Sequence, residues 1–346
     1  AFVAVSPAAA VDVLPGTQPL TWDGDISLKM VDDLHAFADR ETEASIARRE
    51  RHWKRWTFDS EMYDKSISYN RRQLMKCLGI EVIDAPRLEH VHDLLDPNEP
   101  KASFLRWTAF GDVHGYAFRL SAEPNKAKAN VIVILDAGFA VDAKPVSDAA
   151  MSIVNLLHNA ACNVYVTWTV DRRTKRSVVA NGLRDTNQTQ REFVYRQAFE
   201  MGRHPLGYET GKILALMDCI QSQSKAPIGV FGFGEGGNVA LLAGALDGRI
   251  VSTGVCGASV SAQNMWEEPI DRNIWSFLDQ FGGAELLSLI APRHVVLCAP
   301  ENAGFILPED SGKRGSQAAP GVLRISSIDE LSAEVRRAKA YFAAKP

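Results

Sequence analysis

The sequence predicts an α/β protein: a mainly parallel sheet with helices on both faces, preceded by an N-terminal helical extension. Three observations carry this. Short runs rich in branched apolar residues recur near residues 131, 164, 228, 253 and 295. Most are separated by segments of helical period, an alternation whose right-handed crossovers give a parallel sheet. Within them, Asn130–Leu135 (NVIVIL) is almost continuously apolar, as a strand buried on both faces must be. Finally, Ala226–Asp247 reads as a buried strand (Ile228–Phe231), a glycine-rich corner (Gly232–Gly237) and a helix of small apolar residues (Asn238–Leu246).

The chain of 346 residues is long enough for one large α/β domain with additions, or for two domains. We read 1–99 as an N-terminal extended and helical region packing on the core. The main domain is then 100–346, with a cap-like insertion near 259–283. A hydrophobic content of 46% supports a sizeable core. The net charge of −4 gives no reason to expect nucleic acid as a partner. No apolar run approaches the roughly 18 residues of a membrane span. The opening residues, ending in Ala8-Ala9-Ala10, resemble the tail of a secretory signal and imply export to a periplasmic or extracellular space. A cytoplasmic location is the alternative.

The five cysteines, Cys77, Cys162, Cys219, Cys256 and Cys298, include no C-x-x-C, so neither a disulfide framework nor a metal site is expected. Cys256 and Cys298 stand in apolar runs and read as buried small hydrophobes. No cofactor is expected.

In order, Asp25–Arg51 carries apolar residues near helical spacing, and the Arg- and Glu-rich stretch Glu41–Lys54 reads as a solvated helix face. Ser66–Leu78 continues as helix. Phe104–Phe110 and Gly115–Leu120 read as a hairpin at the edge of the sheet. After the Asn130–Leu135 strand come a turn at Asp136-Ala137-Gly138, a helix (Asp148–His158) and a strand (Asn163–Val170). The polar stretch Asp171–Gln190 reads as a long loop over the strand ends. Glu192–Gln221 reads as helix with a break near Gly202–Pro205. The corner is followed by a strand (Ser252–Ala258), the insertion, a helix (Ala284–Ile290), a strand (His294–Ala299), a loop (Glu301–Gly321) and a closing helix (Glu330–Ala343).

The corner Gly232-Phe233-Gly234-Glu235-Gly236-Gly237 has small residues two before and two after its apex, as a strained strand-to-helix turn requires. A dinucleotide phosphate loop is an alternative. That fingerprint belongs on the first strand of its unit, however, and Glu235 would set a carboxylate beside phosphate. The sequence resembles the G-x-S-x-G-G corner of α/β-hydrolases, with Gly234 where the nucleophile would stand. Further pieces (Phe199–His204, Gly207–Glu209, Trp266–Pro269 with Arg272-Asn273, and Glu285–Arg293) resemble bacterial dienelactone-hydrolase-like and acetyl-xylan-esterase-like proteins. The resemblance covers roughly residues 100–345. It implies an α/β-hydrolase fold and an esterase-type ancestry, and it raises a second hydrolase-like unit as a protein partner.

Two departures set the functional expectation. Serine relays need a hydroxyl to attack and an imidazole to take its proton. Gly234 offers no hydroxyl, and the last histidine is His294, at the start of a strand. No catalytic residue is assigned with assurance; Glu235 and Glu301 are the candidate carboxylates. Asp136 and Gly138 end a strand where an oxyanion-hole turn would lie, with loop capping as the plain reading of Asp136. Glu235 likewise suits a helix N-terminus. Arg203 and His204 either line a pocket or hold a kink. Trp266, Arg272 and Asn273 lie in the cap-like insertion and are binding candidates. The expectation is a catalytically degenerate hydrolase-fold protein acting as a binding, scaffold or assembly subunit. The alternative is an esterase for a carbohydrate or small ester, with a non-standard site or one completed by a partner chain.

Overall fold

The computed structural model describes residues 13, 15–19, 24–56, 59–81, 86–93, 102–123, 126–137, 144–173, 178–179, 184–185, 188–299, 305–306 and 321–342. The chain divides into two compact units, Ala1–Ala44 and Ser45–Pro346. The first holds most of helix α1 (Ile26–Arg48), whose Ile26, Met30, Leu34 and Phe37 are each more than half exposed. The expectation that Glu41–Lys54 is a solvated face fails at its end. Ser45 and Arg49 are buried, and Trp53 joins the main core, because their partners lie far along the chain.

The second unit is organised on eight strands: β1 (Leu88–Asp93), β2 (Ala102–Phe110), β3 (Val113–Leu120), β4 (Ala129–Leu135), β5 (Cys162–Trp168), β6 (Ile228–Phe233), β7 (Ile250–Cys256) and β8 (His294–Cys298). They lie in the order β1-β2-β3-β5-β4-β6-β7-β8. The five strands from β5 to β8 run parallel, and β1, β2 and β3 pair antiparallel. The hairpin β2–β3 forms as expected, with Gly115 leaving room for the Trp107 ring. It is not the sheet edge, because β1 pairs outside it. The sequence LEHVHD is too polar for its strand character to show in composition, and pairing with β2 supplies it.

Helices cover both faces. On one, α4 (Lys144–Asn159) packs Val154 with Val131, Val133, Val164, Val166 and Phe233. On the other lie α2 (Ser60–Ser66), α3 (Ser68–Leu78), α6 (Pro205–Gln223), α7 (Glu235–Leu246), α8 (Gly283–Ile290) and α9 (Ile328–Ala340), around a core that includes Ile67, Leu74, Leu216, Leu241 and Leu289. Helix α5 (Gln190–Glu200) precedes α6, and the break between them falls where expected. Gly202 adopts φ 66°, His204 caps the next helix, and Pro205 occupies its first turn, where no amide hydrogen is needed. Ser327 and Glu330 form a capping box on α9. Among the described residues, no helix is long and apolar enough to cross a membrane.

Candidate functional site

The β6–α7 corner is fixed by contact between backbones. A Cβ on Gly232 would stand 2.0 Å from the Gly236 carbonyl oxygen, and one on Gly236 would stand 2.2 Å from the Ile134 carbonyl oxygen. Neither position admits a side chain. Gly234, at the apex, adopts φ 55° and ψ −122°, a region that favours glycine. Its N–H donates to the Cys256 carbonyl at 2.9 Å, which ties the apex to the end of β7. Helix α7 starts at Glu235, earlier than the apolar run suggests, and all its residues are buried.

Glu235 is 0% exposed. Its backbone N–H donates to a carboxylate oxygen of buried Asp136 at 2.9 Å. Asp136 therefore serves the helix N-terminus across the strand boundary. In a nucleophile elbow the N–H that follows the apex is the one that faces an oxyanion. Here that donor already points at a carboxylate.

The Glu235 side chain sits among three guanidinium groups brought from three segments. Arg172, in the loop after β5, donates to Glu235 Oε1 at 2.8 Å and to both carboxylate oxygens of Asp271 at 2.8 and 3.0 Å. Arg191, on α5, donates to Asp271 at 2.8 Å and bidentately to Glu209 at 2.7 and 3.0 Å, and it lies 3.6 Å from Glu235. Arg272, from the insertion, donates to Glu235 Oε1 at 2.6 Å, pairs with Glu268, and donates to the Arg324 carbonyl at 3.0 Å.

Burial alone would raise the Glu235 carboxyl. Arg272, Arg172 and Arg191 outweigh it and hold the group well below the usual carboxylate range. Asp271 is likewise lowered, with burial opposed by Arg172 and Arg191. Glu268 differs. Burial raises its carboxyl despite Arg272 and a hydrogen bond from the Ser259 hydroxyl at 2.6 Å. The cavity bordered by Asn238, Ser259, Glu268 and Arg272 measures about 30 Å³, room for one water.

The other expected residues part company. Arg203 donates to the Gly79 carbonyl at 2.7 Å and pairs with Glu81, fastening the end of α3; with Phe110 and Tyr208 it borders a pocket of about 150 Å³. His204 is 3% exposed, and its Nδ1 accepts the Leu206 N–H at 3.1 Å. Burial pushes its imidazole down to about 4, so the ring is neutral near pH 7. Asn273 closes the 3-10 turn Ile270–Arg272. Trp266 is 55% exposed. Gly138 and Glu301 lie outside the described residues. The sequence reading missed Arg172, Arg191 and Asp271; only Arg172 lay in a stretch it had marked, the polar segment Asp171–Gln190.

No protein-family model matches the sequence, and no curated protein is similar to it. Solved structures are similar. A Bacteroides fragilis protein described as an acetyl xylan esterase matches with TM-score 0.50 and 15% identity, over 70% of this chain and 69% of its own. A promiscuous CE15 esterase from a marine bacterial metagenome matches with TM-score 0.50 and 13% identity, over 82% of this chain and 80% of its own. This chain has the α/β-hydrolase fold. At such identities the likeness carries the fold and leaves the chemistry to be argued from the residues above. In α/β-hydrolase terms, the expectations of a parallel sheet, of helices on both faces and of a corner after β6 are all met.

Proposed function

We propose that this chain is a catalytically degenerate α/β-hydrolase-fold protein that acts as a binding, scaffold or assembly subunit, with a second hydrolase-like unit as the natural kind of partner. Gly234 stands at the nucleophile position. The observation that carries the reading is the engagement of the Glu235 N–H by Asp136. An oxyanion would need that donor, and a carboxylate beside it opposes developing negative charge. Two further facts support it. Arg172 reaches from the loop after β5 onto Glu235 beside the apex, and no histidine follows His294 in this chain. Export remains part of the proposal, on the character of the opening residues.

A second reading is an esterase acting on a carbohydrate or small ester, with a non-standard site or one completed by a partner chain. The esterase names of the two structural neighbours favour it. Steady-state hydrolysis of p-nitrophenyl acetate and of acetylated xylan separates the two. The degenerate reading expects rates no more than about 10³–10⁴-fold above water, the residue left when triad members are absent. Sustained turnover well beyond that supports the esterase.

A further inference from the structure

Cys256 ends β7 and Cys298 ends β8, and the two are direct partners in the parallel register. Partner residues on neighbouring parallel strands send their side chains to the same face. The strands of a sheet lie ~4.8 Å apart, within the ~4.4–6.8 Å separation of Cα atoms that a disulfide spans. Both thiols are free and half-buried, not sealed in the core as their apolar runs suggested. Cys256 packs at the margin of the Val133–Phe233 cluster, while Cys298 stands on the last strand of the sheet. Burial and the adjoining Cys298 push the Cys256 thiol up to about 11. The remaining cysteines stand elsewhere: Cys77 on α3, Cys162 at the start of β5, and Cys219 on α6 with its thiol toward the Pro86 carbonyl.

We propose that Cys256 and Cys298 form a reversible disulfide site, oxidised by exchange with a small-molecule disulfide such as glutathione disulfide. The Cys298 thiolate attacks one sulfur of the small disulfide, forming a mixed disulfide and expelling one thiolate. Cys256 gives up its proton and attacks the Cys298 sulfur, and the second small thiolate leaves. The two cysteines are oxidised by two electrons, the small disulfide is reduced to two thiols, and the two cysteine protons end on those thiols. Cys298 acts first because it stands on the outermost strand, at the edge of the sheet.

Side chains on parallel partners stay about a strand spacing apart, wider than the ~3.8 Å mean between bridged Cβ atoms. The bond is therefore strained and easily reduced again. It would staple the outermost strand β8 to β7 beside the Gly234 anchor on the Cys256 carbonyl, and it would close a loop containing the whole insertion that carries Arg272.

The test uses the full chain with glutathione disulfide, followed by acid quench, alkylation and non-reducing peptide mapping. The expected result is loss of two of the five thiols, a Cys256–Cys298 linked peptide, and recovery of both thiols with dithiothreitol. The variant Cys256→Ser should accumulate a lasting glutathione adduct on Cys298. The proposal is overturned if the wild-type chain keeps all its thiols, carries adducts without the link, or links only between two molecules. It is equally overturned if Cys256→Ser shows no adduct on Cys298.

Discussion

Two buried arginine clusters fasten this fold, and they are wired differently. In the first, Arg49 reaches Glu285 at 3.4 Å, Ser45 at 3.1 Å and the Leu278 carbonyl at 3.0 Å. Glu285 also accepts from Arg337 at 2.8 Å and from the Tyr341 hydroxyl, and the Arg337 side chain is 26% exposed. In the second, over the corner, the side chains of Arg172, Arg191, Arg272, Glu235 and Asp271 are all at most 9% exposed. The first cluster joins the segment after α1 to α8 and α9, and its carboxylate has a hydroxyl and a water-accessible cation in reserve. The second fills the ground beside the apex of an α/β-hydrolase corner, and each carboxylate depends on arginines that are themselves buried. The same ion-pair chemistry joins distant segments in one place and surrounds a strand-to-helix corner in the other.

That difference is open to test by mutation. The largest effect is expected from Arg272→Ala, which strips partners from both Glu235 and Glu268. Leaving buried charges underpaired typically costs about 3–5 kcal/mol. Arg49→Ala leaves Glu285 its other two partners, so its loss should be about 1–3 kcal/mol. Urea unfolding of the two variants measures both, and the reverse order would break the comparison.

The second effect is a pH dependence confined to the corner side. His204 faces Asp271, Arg191 and Glu235, and its folded value of about 4 lies below the ordinary 6.5. The unfolded chain therefore binds the proton more readily between those values. Stability contributed by the neutral ring is present above pH 6.5 and lost as pH falls toward 4, by about 3 kcal/mol in all. His204→Asn keeps a capping acceptor and should flatten that part of the stability–pH curve. An unchanged slope in the variant would place the acid sensitivity elsewhere.

A smaller effect is expected from Gly234→Ser. The positive φ costs a non-glycine residue about 1–2 kcal/mol. The new hydroxyl should not create ester hydrolysis, because no imidazole is supplied to take its proton. Robust turnover by this single variant would show that another group of the chain serves as the base. Asp136→Ala is the mildest of the set. It removes an acceptor from the start of α7 and should lower thermal stability by about 0.5–2 kcal/mol, and a neutral outcome would mean that another acceptor serves the Glu235 N–H.

How much of this was legible beforehand follows from how local each feature is. The corner could be read because its tightest contact, Gly232 against Gly236, lies within a few residues, although Ile134, Cys256 and Ala258 also close on its glycines. The parallel strands could be read from continuous apolar runs. Strand β1 could not, since its polar residues become a strand only through β2. The charge cluster was hidden for the same reason at longer range. Arg172 meets Glu235 across 63 positions, and Arg191 meets Asp271 across 80, and neither pairing leaves a spacing in the sequence. Cys256 and Cys298 became neighbours only when β7 and β8 paired in register.

The central claim is that the Gly234 corner carries no serine-hydrolase chemistry. Its most direct test is the intact mass of the full protein after treatment with a fluorophosphonate probe, beside an active serine hydrolase as control. The account predicts no added mass on this chain while the control is fully labelled. A stoichiometric adduct that maps to a single serine of this chain would contradict it.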